Sequence, residues 1–166
     1  VAESNFVWAL MRKVNPLYQD DLSSLQNSYF QYFIGKTDFS TRGAHNQKLV
    51  YVDNKYVSIP YDFDMSGLVN ASYATVSGIE NMNVTISKVN ERVYKGYKRD
   101  TDLMQEVRKE YIASKDAIFE VMDDLSEYFQ NPGKYEQTKE FVIDFFEIIE
   151  DDKKFKKYIV DRTRSR

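Results

Sequence analysis

The chain has no cysteine among its 166 residues. Disulfides, thiolate zinc sites and cysteine nucleophiles are therefore excluded, while the compartment stays open. It has one histidine, His45, so a multi-histidine metal site cannot form. No apolar run reaches the ~18 residues of a membrane span. Gly-x-Ser-x-Gly and His-Glu-x-x-His are missing too, and with them two common hydrolase arrangements. The formal charge of −3 is too small to mark nucleic acid as a partner. No signal peptide, internal repeat or long heptad run is visible. Val1 is an unusual start for a native chain, which reads as a fragment or processed form.

What is present is an ordinary globular composition, 42% hydrophobic and 30% charged. The length suits one domain. With 13 Tyr and 11 Phe, the core is expected to be rich in aromatic rings. Residues 3–14 carry Phe6, Val7, Ala9, Leu10 and Val14 in a loose helical pattern that Asn15-Pro16 ends. Asp20 or Asp21 caps a second helix. Its apolar stripe is Leu22, Leu25, Tyr29, Phe30 and Phe33. Gly35 is a natural stop, so this helix delivers the chain into a polar loop, Lys36–His45.

That loop and the hairpin after it organise the chain. The loop holds Asp38, with Lys36, Arg42 and His45 as candidates for anion contact. A lone histidine beside a turn reads either as a hydrogen-bonded structural group or as a base. Gln47, Leu49 and Tyr51 alternate with Lys48, Val50 and Val52 on a first strand, and Asp53-Asn54 is a turn pair. Val57, Ile59, Tyr61 and Phe63 form one face of a second strand, and Ser58, Pro60, Asp62 and Asp64 the other. Pro60 marks an exposed edge or an irregular end. If the chain stays extended, Asp62 and Asp64 share a face, and two such carboxylates repel unless a cation or proton lies between them. Oxygen ligands without thiolate favour Mg²⁺ or Mn²⁺. The alternative is that one acid caps the next turn and the other faces water. Hairpins fold back, so Asn46 is expected near Asp62 and Asp64, with Asp38 in reach.

Residues 65–90 read as a long, partly ordered loop over the site, rich in small and polar residues from Asn70 to Asn83. The run VNERVYKGY, Val89 to Tyr97, fits a short helical turn ended by Gly96. Its Arg92 reads either as a phosphate contact or as a surface salt bridge. From Thr101 the pattern is helical: a helix through Tyr111 or Ile112, then a stripe of Ile118, Met122, Leu125 and Phe129, then a break at Asn131-Pro132-Gly133. Phe141, Val142, Phe145, Phe146, Ile148 and Ile149 make a thick apolar face. A short last helix carries Phe155, Tyr158 and Ile159 within a basic end, expected to be a solvated face and a frayed tail.

The order of aromatic helix, acid loop, Asn, hairpin, Asp-Phe-x and helices resembles the C-terminal lobe of protein-kinase-like phosphotransferases. Tyr32-Phe33-Ile34-Gly35-Lys36-Thr37-Asp38 looks like the Ile-Gly-Asn-Thr-Asp loop of HipA-type and CotH-type kinases. His45-Asn46-Gln47-Lys48-Leu49 looks like their Asn followed by a strand, and Tyr61-Asp62-Phe63-Asp64 sits where they carry the Asp of the DFG element. The pattern is also similar to a bacterial, often exported group of CotH-like proteins. It covers residues 22–97 well and the helical tail in outline. The resemblance implies Mg²⁺ or Mn²⁺, with ATP as co-substrate and a hydroxyl-bearing acceptor, and allows an extracytoplasmic location. On it, Asp38 orients or deprotonates the acceptor, Asn46 and Asp62 bind the metal, and Asp64 is a further ligand or supporting acid. Lys36 departs from the usual Asn. The gap from Asp38 to Asn46 exceeds the kinase spacing, so an insertion is expected to bulge out. A Gly-rich loop and a strand-borne Lys belong to an N-terminal lobe expected to be absent from this chain, leaving it inactive alone.

The fold expectation is α+β and predominantly helical, with one small antiparallel hairpin packed on helices in a single domain. Two functions are carried forward. One is the C-terminal half of a kinase-like phosphotransferase acting on a protein or small-molecule hydroxyl. The other is a non-catalytic helical interaction or structural module that keeps the fold.

Overall fold

The computed structural model describes residues 14–43, 45–76, 86–129 and 131–165. Apart from Val14, the helix expected over residues 3–14 lies outside them. Helix α1 (Asp21–Phe33) begins where the Asp20 side chain accepts the Ser23 amide at 3.0 Å, satisfying a donor that the first turn leaves free. It ends at Gly35, whose φ of +64° lets the chain reverse. The Gly35 amide bonds the Tyr32 carbonyl at 3.1 Å and the Lys36 amide bonds the Gln31 carbonyl at 2.8 Å, the paired bonds of a Schellman ending.

Strands β1 (Gln47–Val52) and β2 (Lys55–Pro60) pair antiparallel, Gln47 opposite Pro60 and Val52 opposite Lys55. Asp53 and Asn54 connect them with φ of 50° and 61°. Two successive left-handed residues make the tight turn whose twist matches a hairpin. This two-stranded sheet packs against α1. A polar cluster fills the contact: the Asn27 amide donates to Gln47 Oε1 at 3.0 Å and to Ser58 Oγ at 3.2 Å.

Four helices follow. Asp100 caps α2 (Thr101–Ala113), and α3 (Lys115–Asp124) continues after one turn residue, Ser114. Asn131 caps α4 (Pro132–Glu150) and Pro132 stands in its first turn. The break read at Asn131-Pro132-Gly133 is therefore a helix start, where proline's missing N–H costs nothing. Asp151 caps α5 (Asp152–Tyr158). The architecture is α+β and predominantly helical, with a single hairpin among the described residues. No described helix is long and apolar enough to cross a membrane.

The core lies between α1, α2, α4 and α5, centred on Leu25, Tyr29, Tyr32, Tyr94, Phe145 and Phe146. Tyr94 meets Tyr29 and Tyr32 edge-on, both at 5.9 Å between ring centres, a geometry worth ~0.5–1.5 kcal/mol beyond area burial. Arg108 ties α2 to the α4–α5 junction, donating to the Ile149 carbonyl at 2.5 Å and pairing with Asp152 at 2.8 Å.

Four expectations change. Leu22 is 39% exposed, and α1 instead buries Ser24, Asn27, Ser28 and Gln31 beside its aromatics, because the hairpin covers a second, polar side. Helix α3 buries no residue at all; Ile118 and Met122 only lean on the core. The run VNERVYKGY is a turn at Val89-Asn90 followed by a segment without helix that reaches a bridge at Tyr97. Its backbone pairs with the C-terminal segment, the Arg164 amide to the Gly96 carbonyl at 3.0 Å and the Lys98 amide to the Arg164 carbonyl at 2.8 Å. The basic end is therefore not wholly frayed, since Arg164 also lies over the Tyr97 ring at 4.5 Å.

Candidate functional site

The α1 ending turns Lys36, Thr37 and Phe39 inward, all three buried, and leaves the Asp38 side chain 30% exposed between them. The chain then makes a small excursion through Thr41–Gly43, closed by mutual backbone bonds between Ser40 and His45 at 3.1 and 3.2 Å. Arg42 is exposed on that turn.

Asn46 is the joint of the site. It is buried, with a left-handed φ of 54° that asparagine tolerates better than other non-glycine residues. Its side-chain amide donates to the Asp38 carbonyl at 2.7 Å and to Asp38 Oδ2 at 3.1 Å. Its own carbonyl accepts the Tyr61 amide at 3.1 Å, extending the hairpin by one bond. The start of β1 and the exit of β2 thus meet at Asn46, as the folding back of the hairpin required. His45 Nε2 lies 3.1 Å from Asp38 Oδ1, so both oxygens of that carboxylate have partners.

Beyond Pro60 the strand stops. Asp62 has a φ of 60°, so alternation along an extended strand does not place the acids. Even so, the Asp62 and Asp64 carboxyl groups lie close enough to act on each other. A hydrogen-bonding interaction between them, with burial and the repulsion between the two charges, raises the Asp62 pKa from its ordinary value. The same interaction, with hydrogen bonds from the Tyr73 hydroxyl at 3.2 Å and the Met65 amide, lowers that of Asp64. The two carboxyl groups therefore titrate as a pair and not independently. Asp38 lies close enough to add to the repulsion, and Lys36 opposes it.

Lys36 is 1% exposed, and its Nζ donates to the Asp62 carbonyl. The chain then returns to the end of α1. The Gly67 amide bonds the Gly35 carbonyl at 3.2 Å and the Leu68 amide bonds the Ile34 carbonyl at 2.9 Å. Asp38, His45, Asn46, Asp62, Asp64 and Lys36 are thus gathered where two loops are stitched to one helix end. Arg92 stands apart from them. Its guanidinium donates to the carbonyls of Tyr32 at 3.1 Å, Phe33 at 3.3 Å and Phe141, and lies 3.5 Å from the centre of the Phe141 ring. Burial pushes its pKa down to about 10. It terminates α1 rather than facing the acids or a surface partner.

One residue of the site escaped the sequence reading. Lys95 Nζ donates to the carbonyls of Thr37 at 2.8 Å and Phe39 at 2.6 Å, on either side of Asp38. Burial pushes its pKa down to about 8; Arg164 acts in the same direction and Asp38 against it. The only sequence signal was a lysine set between aromatic residues in VYKGY, which a surface position explains equally well.

Among the described residues, no group of three or more His, Asp or Glu stands ready to hold a metal unaided. A separate groove of about 990 Å³ runs between α3 and α4, walled by Leu68, Ile118, Val121, Met122 and Phe141. No protein-family model, curated protein or solved structure matches the chain.

Proposed function

We propose that the chain is the C-terminal half of a kinase-like phosphotransferase that uses ATP and a divalent cation on a protein or small-molecule hydroxyl. One observation carries the reading: the Asn46 junction, which ties the Asp38 carboxylate by its amide and the exit of β2, next to Asp62, by its carbonyl. An acid, an amide and a carboxylate pair far apart in sequence come to one place on that joint.

Asp38 is the group that orients the acceptor hydroxyl and takes its proton. Its part exposure leaves a path for the acceptor, and His45 and Asn46 hold its orientation meanwhile. Asn46 and Asp62 are the residues that would hold Mg²⁺ or Mn²⁺, with Asp64 in support. The fit rests on the closeness of the Asp62 and Asp64 carboxyl groups, because repulsion between neighbouring carboxylates is something a cation relieves. Mg²⁺ is commonly held by one or two carboxylates together with phosphate oxygens and water. These side chains would therefore hold an ion only together with nucleotide and water. Bound there, such an ion would supply positive charge against the transferring phosphoryl group. Lys36 sets the Asp62 turn from beneath through the carbonyl bond.

The test is nucleotide binding by a protein carrying both halves of the cleft. ATP with Mg²⁺ is expected to raise its melting temperature, ATP with chelator much less, and Asp62→Ala is expected to lose the Mg²⁺-dependent part. No shift in the wild-type protein at saturating nucleotide would sink the reading. The second reading, an interaction module without chemistry, draws on the apolar groove between α3 and α4; it gains if Asp62→Ala leaves every measured function intact.

A further inference from the structure

We infer that Lys95 is a positioning residue: its ammonium group, bridging the carbonyls of Thr37 and Phe39, sets where the Asp38 carboxylate stands. The contact between the Lys95 ammonium and the two carbonyls stands on the geometry; its role in transfer rests on the reading given under Proposed function.

Three successive carbonyls are fixed here from two sides. Those of Thr37 and Phe39 accept from Lys95 at 2.8 and 2.6 Å, while that of Asp38, between them, accepts from the Asn46 amide at 2.7 Å. Holding alternate carbonyls on one cation and the middle one on an amide fixes the peptide planes on both sides of Asp38. The acid is left with little but side-chain rotation, and His45 and Asn46 restrict that too. Lys95 reaches the loop from a segment 56 to 58 residues away in sequence. Its ammonium also lies over the ring of buried Phe39, 4.7 Å from the centre. A desolvated cation costs free energy unless its donors are used, and two of its three N–H groups are spent on this one turn. A surface lysine would have its stem on the protein and its charge in water; this one is aimed inward at the loop.

The single histidine supplies a reporter. His45 is the only imidazole in the chain and its Nε2 lies against Asp38 Oδ1, so its ring resonances read the position of that carboxylate. Lys95→Met keeps the stem and removes the donors. In the folded variant, the His45 ring signals are expected to move toward those of Asp38→Asn, and Lys95→Arg, which restores charge and donors, is expected to bring them back. Unchanged His45 signals in folded Lys95→Met overturn the inference. Should Lys95→Met fail to fold, the wild-type ammonium is read directly: coupling across hydrogen bonds to the Thr37 and Phe39 carbonyls supports the contact, and its absence overturns it.

Activity separates this from the phosphotransfer reading. With both halves of the cleft present, Lys95→Met is expected to lower kcat on the order of 10²-fold, the cost of a misplaced group, with little change in KM for ATP. An unchanged kcat overturns the positioning role. A wild-type protein that binds no nucleotide, yet whose His45 signals move in Lys95→Met, keeps Lys95 as the brace of Asp38 and removes phosphotransfer.

Discussion

Asn46 performs two tasks that substitution can separate. Its backbone occupies a left-handed conformation and its side chain holds Asp38. Asn46→Gly accepts the backbone and loses the tether, at about 1 kcal/mol for a hydrogen bond. Asn46→Ala loses the tether and adds ~1–2 kcal/mol of left-handed strain, so urea denaturation is expected to rank alanine clearly below glycine. Equal midpoints would mean that the backbone is not strained there. In a transfer assay the two variants are expected to fail alike. The approach of Asn46 to the exit of β2 could be read from the sequence because a hairpin must bring its ends together. Lys95 could not. Whether a lysine amine turns inward depends on which loop the distant chain lays against it, and no local pattern records that.

At the scale of elements, the site depends on a seam where the chain after β2 meets the end of α1. A Cβ on Gly35 would come within 2.6 Å of Phe141 Cζ, at a φ of +64°. On Gly67 it would meet the same ring at 2.9 Å and the Asn90 and Val89 backbone at 3.0 Å. Gly35→Ala combines left-handed strain with overpacking and is expected to cost about 2 kcal/mol or more, seen as a lower denaturation midpoint with an unchanged slope. A midpoint equal to that of wild type would show that Phe141 moves aside freely. The sequence made Gly35 visible as a helix stop, because that role is local. The seam itself was invisible, since it joins Gly35 to Gly67 and to a ring on α4. The hairpin was legible from Asp53-Asn54 and the alternation on either side. The segment from Glu91 to Tyr97 was misread because its residues fit one helical turn as well as an extended run, and the pairing of Gly96 and Lys98 with Arg164 decides between them.

For the molecule as a whole, the expected aromatic core has a consequence in alkali. Burial raises the pKa of Tyr29, Tyr94 and Tyr111 well above the usual phenol value and pushes that of Tyr32 up to about 12. Unfolding frees these rings to ionise near ~10. Their stabilising contribution is therefore complete below about pH 10 and drains away as pH climbs toward the folded values. Lys95 has the opposite sign. Its folded value of about 8 lies below its unfolded one, so its burial penalty is full below pH 8 and fades as pH rises through the window up to ~10.4. Denaturation midpoints followed with phenolate absorbance are expected to hold or rise slightly from pH 8 to about 10 and then to fall steeply as the tyrosines ionise on unfolding. Tyrosines titrating at ordinary pH without loss of structure would contradict the burial. The predominantly helical fold was legible because caps and apolar stripes are repeated, local signals. The shallow burial of α3 was not, because its stripe looks like any other core face. No side chain of α3 is fully buried, and the helix is held to α4 by Phe119 against Phe146 and by the ion pairs Lys115–Glu150 and Lys139–Asp123. Those ion pairs are exposed, so salt weakens the wall that α3 forms beside α4 sooner than it touches the aromatic core.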